Sequence, residues 1–181
     1  MTKYYFLTSA ESSALQYWHG WLNDNRGDCA RLRRAERPED VLLTEAFFHF
    51  LQRMPDSFGG KIPEDQRLFI CAAVAGLVSH IKENLKSNRF AEQLATPAGK
   101  GKKAPMSELR FQQLQKSRTT DEFYLRVIRA IRLLDGKVNV SSLANDIIHW
   151  HKEFNNQLNR EPPKRLAVRW ATDYFTTLQK N

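Results

Sequence analysis

The sequence predicts an all-α fold, and three observations carry that reading. Apolar residues recur at helical spacing along nearly the whole chain, almost no segment alternates at period two, and the periodic runs break at Pro, Gly or Ser/Thr caps. A first helix starts near Ser9 and stacks Leu15, Trp18 and Leu22 on one stripe. Ser9, Ser12 and Ser13 are its candidate N-caps, and Gly20 inside the stripe weakens it by ~1 kcal/mol relative to Ala. A short second helix over 28–35 must end before Pro38. The third, over 39–53, turns Leu43, Phe47, Phe50 and Leu51 inward before Pro55 and the pair Gly59 and Gly60 break the chain. Pro63 suits the first position of a fourth helix reaching to about residue 85. Apolar on all sides (Leu68, Ile70, Val74, Leu77, Val78, Ile81), that helix is expected at the centre of a bundle.

After a short helix over 90–95 comes a stretch of Gly, Pro and Lys without a large apolar anchor, which cannot bury enough surface to order itself. Residues 97–106 are therefore expected to link two small helical bundles, 1–96 and 107–181. Helices in the second half are expected over 107–116, 121–134, 142–155 and 163–178. Thr119 and Glu122 have capping-box spacing, Gly136 fits a left-handed C-terminal position, and Ser142 can cap the third of these. Residues 138–140 are the one plausible scrap of strand.

Composition narrows the function classes. The 181 residues are 41% apolar and carry a net charge of +8. Two cysteines, Cys29 and Cys71, make no disulfide framework, and Cys71 in its apolar run reads as a buried thiol. The start lacks the basic and apolar regions of a secretion signal, and the longest apolar run is well short of the ~20 residues a membrane span needs. A cytoplasmic protein without membrane attachment is expected. No Gly-rich phosphate loop, nucleophile elbow or metal-ligand spacing is present, so no catalytic residue, metal or cofactor is expected. His149 and His151 fall on different sides of one helix, the wrong geometry for a shared ion.

Charge is the positive signal. Between Gly99 and Arg132 nine bases stand against three acids, which accounts for +6 of the chain's +8. The bases are Lys100, Lys102, Lys103, Arg110, Lys116, Arg118, Arg126, Arg129 and Arg132. Such a field attracts polyanions, and neutralising phosphates releases counterions. Projected at 100° per residue, Arg126, Arg129 and Arg132 lie opposite an apolar face of Phe123, Tyr124, Val127, Ile128, Ile131 and Leu134. Leu125 and Leu133 among the arginines suggest partial cover by a neighbour. The helix over 28–35 adds Arg31 and Arg34 on one face and Arg33 on another, available to phosphates or to Asp28, Glu36 or Asp40. The aromatic rings at Phe111, Tyr124 and Trp150 are read as core packing rather than as stacking platforms for bases, and Trp18, Trp21 and Trp170 likewise.

These residues resemble a known family. The run from Gly27 to Ala35 (Gly-Asp-Cys-Ala-Arg-Leu-Arg-Arg-Ala), then Pro38 and Ala46-Phe47, is similar to the N-terminal signature of the CasB family, the small subunit of the type I-E CRISPR surveillance complex Cascade. A second block runs from Gln93-Leu94-Ala95 across a basic spacer to the stretch from Ser107 to Leu114, then Arg118 and Leu125-Arg126, with Leu143-Ala144 and Trp150 completing it. The order and spacing of these pieces over residues 12–155 carry the likeness. The resemblance implies an all-helical, non-enzymatic subunit present as a pair of copies, packed against backbone and large subunits with the CRISPR RNA. It also implies a role in steadying unwound DNA, the displaced single strand above all. Carried over, the nucleic-acid contacts are Arg33 or Arg34, Arg110, Lys116, Arg118, Arg126 and Arg129; Lys100, Lys102 and Lys103 are added on charge alone. Two other readings stand beside it: a structural subunit whose basic face docks acidic proteins, and a helical regulator of duplex DNA, for which no helix-turn-helix spacing is found.

Overall fold

The fold is described from a computed structural model for residues 6–158 and 161–181, which leaves most of the segment weighed as a secretion leader outside the described residues. Helix α1 (Ser9–Asp24) is capped by Thr8, not by the serines that follow. Thr8 Oγ1 accepts from the Glu11 N–H while the Glu11 carboxylate accepts from the Thr8 N–H, a full capping box. Helix α2 (Arg26–Arg34) follows at once. The expected third helix is two: α3 (Pro38–Leu42) and α4 (Glu45–Arg53). Thr44 makes the break, donating its hydroxyl to Val41 O and accepting from the Phe47 N–H. The resulting turn throws Leu43, expected in the core, out to 85% exposure.

Helix α5 (Glu64–Val78) is the centre of the fold, with every residue from Ile70 to Val78 buried. It stops well before residue 85 because Ser79 turns its hydroxyl back to Gly76 O and the next turn tightens, His80 N–H bonding Leu77 O. The released chain forms β1 (Glu83–Asn84), then α6 (Phe90–Ala95), α7 (Glu108–Gln115), α8 (Thr120–Leu133), β2 (Lys137–Val138), α9 (Val140–Phe154), a 3₁₀ turn over Pro162–Lys164, and α10 (Leu166–Lys180). The strand scrap is real but small: β2 lies parallel to β1, Glu83 opposite Lys137 and Asn84 opposite Val138. Helix α9 starts earlier than expected because Asn139, accepting from the Ser142 N–H, caps it; the Ser142 hydroxyl instead accepts from the Phe90 N–H. A three-residue 3₁₀ turn that opens with two prolines delays α10 to Leu166.

All-α is thus the architecture among the described residues, apart from that two-residue ladder. The structure does not divide the core at residues 97–106. Buried apolar side chains from Leu7 to Tyr174 form one cluster, with α5 packed on α8 and α9, α1 on α9, and α6 on α10. The segment is tied at its far end: Met106 is buried, its N–H bonds Leu94 O, and its carbonyl accepts from Tyr174 Oη. Gly76 sets the closest approach, since a Cβ there would collide with Tyr124 Oη and Val41. Gly136, at φ +74°, takes the left-handed position expected of it and ends α8 with its N–H on Ile131 O. No helix of the described residues is long and apolar enough to cross a membrane.

Candidate nucleic-acid interface

Helix α8 carries the main part of the surface, and its two faces separate as its periodicity requires. Phe123, Tyr124, Val127, Ile128, Ala130 and Ile131 are buried. The exposed residues of this 14-residue helix are Asp121, Leu125, Arg129 and Arg132, at spacings of four, four and three that keep them on one stripe about 16 Å long. Thr119 caps the helix by accepting from the Glu122 N–H. The reciprocal half of the expected box is absent: the Glu122 carboxylate accepts from the Arg118 N–H, one residue earlier.

Arg126 does not share the free stripe, and here the expectation for the three arginines is corrected. Its guanidinium is half-buried, 2.6 Å from Glu122 Oε1, and donates to Gln113 O at 2.5 Å and to Ser117 Oγ at 3.4 Å. It ties the end of α7 to α8. The sequence held the signal, because Glu122 precedes Arg126 by four residues, the spacing of a helical ion pair.

Arg129 and Arg132 are exposed and have no hydrogen-bond or carboxylate partner among the described residues. At the end of the stripe the structure brings in α2, which in sequence lies about a hundred residues away. Arg33 donates its Nε to Ser79 O at 2.6 Å, which fixes one edge of the guanidinium against the end of α5 and leaves its terminal nitrogens without a partner among the described residues. Between them stands His80. Burial, with the positive fields of Arg33 and Arg132, holds its imidazole down at about 4, so it is neutral near pH 7. Its Nε2 is buried without a hydrogen-bond partner among the described residues. The charges of Arg33 on α2 and Arg132 on α8 thus both bear on one side chain, His80.

The other expected residues stand on α2, on α7 and its following turn, and on the segment before α7. Arg34 is exposed and unpaired among the described residues, whereas Arg31 spends its charge on Asp28 at 3.7 Å and Glu45 at 4.0 Å. Arg110 and Lys116, at the start and the C-cap of α7, and Arg118 in the following turn all expose their side chains. Lys100, Lys102 and Lys103 are exposed on the segment before α7, around a turn in which the Lys102 N–H bonds Gly99 O. Sequence reasoning missed His80, Lys82 and Lys137. Lys82 pairs with Asp135 at 3.6 Å at an exposed site, and Lys137 on β2 is exposed with no ion-pair partner among the described residues. Only the long-range packing of α5 and β1 on the end of α8 places them there, so no local pattern could have found them.

Of the aromatic residues, Phe111, Tyr124, Trp18 and Trp170 are buried. Trp21 is half-buried with Arg53 over its ring at 3.9 Å. Trp150 is sandwiched between Phe123 and Phe154. Among the described residues no three His, Cys, Asp or Glu side chains come together as a metal site.

Fold and surface together define a helical protein with a cationic face assembled from two distant helices. A family model described as CRISPR-associated protein Cse2 matches residues 28–175, and the chain belongs to that family. This is the CasB family that the sequence resembles, a non-catalytic subunit of Cascade in type I-E CRISPR systems. No curated protein and no solved structure gives a significant match.

Proposed function

We propose that this Cascade subunit holds single-stranded DNA by its phosphates along the α2–α8 face and so stabilises the R-loop. One observation carries the reading: Arg33 and Arg132, from distant parts of the chain, act on the same unpartnered His80. A cationic cluster without carboxylates of its own is stable only while water or an anion screens it, and a phosphate chain supplies that charge. Arg34 and Arg129 flank the cluster; Arg118, Lys116 and Arg110 continue it along α7, and Lys100, Lys102 and Lys103 extend it on a segment able to follow a flexible strand. Arg126 positions α7 rather than touching DNA. Guide pairing reads the sequence, while backbone contacts tip a near-balanced strand exchange toward the open loop.

The test is R-loop formation by assembled Cascade in which Arg33, Arg129 and Arg132 are all replaced by Ala, followed against salt. About five neutralised phosphates give a log–log slope of roughly −3 to −4 for a single strand, and losing three contacts flattens it by about 2. An unchanged slope rejects the reading.

Two exposed leucines favour a second contact beside the first. Leu109 on α7 is 66% exposed and Leu125 on α8 is 41% exposed, both among the bases. They suit a neighbouring subunit, whether backbone, large or a second copy of this chain. Leu125→Ser should weaken assembly while leaving the salt slope of the assembled complex intact.

A further inference from the structure

Beside the turn that carries Lys116 and Arg118 lies an open cavity of about 440 Å³, walled by Ser117, Trp150, Phe154 and Trp170, with one acid, Glu153, and one base, Arg165, in its lining. That volume falls within the roughly 300–1,000 Å³ of small-molecule sites. Three rings lead out to it from the core in parallel. Phe123, fully buried, lies 4.2 Å from Trp150 with the planes 8° apart, and Trp150 lies 5.1 Å from Phe154 with the planes 12° apart. The last rung is 44% exposed, so the stack ends in an aromatic ring open to solvent.

A hydrophobic core does not need this arrangement. Packing alone favours an outermost ring turned inward, or a long polar side chain laid across it. Here the outermost ring lines the cavity, and Ser117 on its wall is flanked in the chain by two exposed cations, Lys116 and Arg118. Gln115 on the same wall donates its amide to Ala167 O at 2.8 Å, which leaves its carbonyl oxygen as an acceptor. A planar aromatic group carrying an anion on a short tether matches all three features.

We propose that the cavity takes an unpaired nucleobase, stacked on Phe154 as the fourth rung of the ladder, while its own phosphate lies against Lys116 and Arg118. The inference rests on the reading that the α2–α8 face carries a single strand, and adds to it a grip on one base. Stacking accepts any base, because each presents a π face, so the grip fixes the register of the strand without reading its sequence. Glu153 and Arg165 both line the cavity and offset each other in charge, so the phosphate contact rests on Lys116 and Arg118.

The probe is 2-aminopurine, whose fluorescence is quenched by stacking, placed at successive positions of the displaced strand in an R-loop formed by assembled Cascade. One or two positions should be quenched beyond the level of free single strand. Phe154→Ala should restore their fluorescence and weaken binding of a short single strand by about 5- to 150-fold, the range for one stacked base. Phe154→Trp should keep both. Phe154→Leu, which preserves apolar volume, should behave as the Ala variant does; if it behaves as wild type, the ring merely fills space and the proposal falls. If Phe154→Ala leaves every position quenched, or impairs assembly while DNA binding persists, the cavity serves the fold or a protein partner, and the proposal is overturned. The triple Arg33, Arg129 and Arg132 variant separates the two readings. It should lose salt-dependent affinity whatever Phe154 does, so a failure at Phe154 alone leaves the phosphate track standing.

Discussion

The two ends of α8 carry the same residue type and use it differently. From mid-helix Arg126 reaches back toward the N-terminal end, where Glu122, Ser117 and the carbonyl of Gln113 close it off. Near its C-terminus Arg129 and Arg132 meet no carboxylate among the described residues, and Arg33 approaches from α2 to concentrate positive charge. The difference comes from what packs beside each end. Helix α7 docks on the first and offers a carbonyl and a hydroxyl, while the second meets the terminus of α5, where a histidine already lies. Counting cations therefore overstates the charge a surface can offer, and the available fraction is decided by the neighbours.

Substitutions at the two ends should separate along these lines. The largest effect is expected at the open end: replacing Arg33, Arg129 and Arg132 by Ala should weaken single-strand binding on the order of 100-fold at moderate salt, at about 1 kcal/mol per lost charge-assisted contact. Thermal stability should fall only slightly, because Arg129 and Arg132 have no hydrogen-bond or carboxylate partner among the described residues and Arg33 gives up a single bond, to Ser79 O. A fall in melting temperature comparable to that of a core variant would show that this end is structural after all.

At the closed end the balance should reverse. Arg126→Ala leaves Glu122 and the Gln113 carbonyl without their partner at a half-buried site, and a loss of about 1–3 kcal/mol in chemical denaturation is expected. Its effect on the salt slope should be within about one phosphate.

Two histidines sharpen the contrast further. His151 packs its ring against Phe69, Phe123 and Trp150 behind the closed end, and burial alone holds it down at about 3. A histidine whose folded value lies below its ordinary 6.5 contributes full stability above that value. The contribution is lost as pH falls from 6.5 toward 3, since the unfolded chain takes up the proton first. His19 is lowered too, chiefly by burial. Asp173, which burial raises to about 6, acts in the opposite sense as pH falls. Comparing His151→Phe with wild type isolates the one group: the variant should lose about 2 kcal/mol less between pH 6.5 and pH 5.

The smallest expected effect is spectroscopic. A phosphate bound between Arg33 and Arg132 adds negative charge next to His80 and should raise its titration from about 4, while His151 stays where it is. Proton NMR of the imidazoles with and without a short oligonucleotide reads both. Equal shifts, or none at His80, would place the anion elsewhere.

Much of the fold was legible because helices announce themselves locally. The apolar stripe of α8, the all-round burial of α5 and the left-handed Gly136 follow from periodicity and from the conformational needs of single residues. The misses share a physical origin. Thr44 split one expected helix into two through a pair of hydrogen bonds that compete with the helical ladder, and Ser79 ended α5 in the same way. Neither residue type is a breaker by itself, so the outcome depends on where the chain has room to turn. Residues 97–106 looked like a boundary on composition, yet α6 and α10, on either side of it, pack against each other.

The amino-acid sequence by itself determined the helical class, the faces of its amphipathic helices, the excess of positive charge and, through the order of short motifs, the family. Those properties are local or additive, and the chain carries them wherever it folds. Tertiary structure alone decided which cations are free, that Arg33 and Arg132 converge on His80, and that a stack of rings ends at an open cavity. Each depends on elements far apart in sequence being brought together by burial of a common core, a cooperative outcome that no window of residues contains.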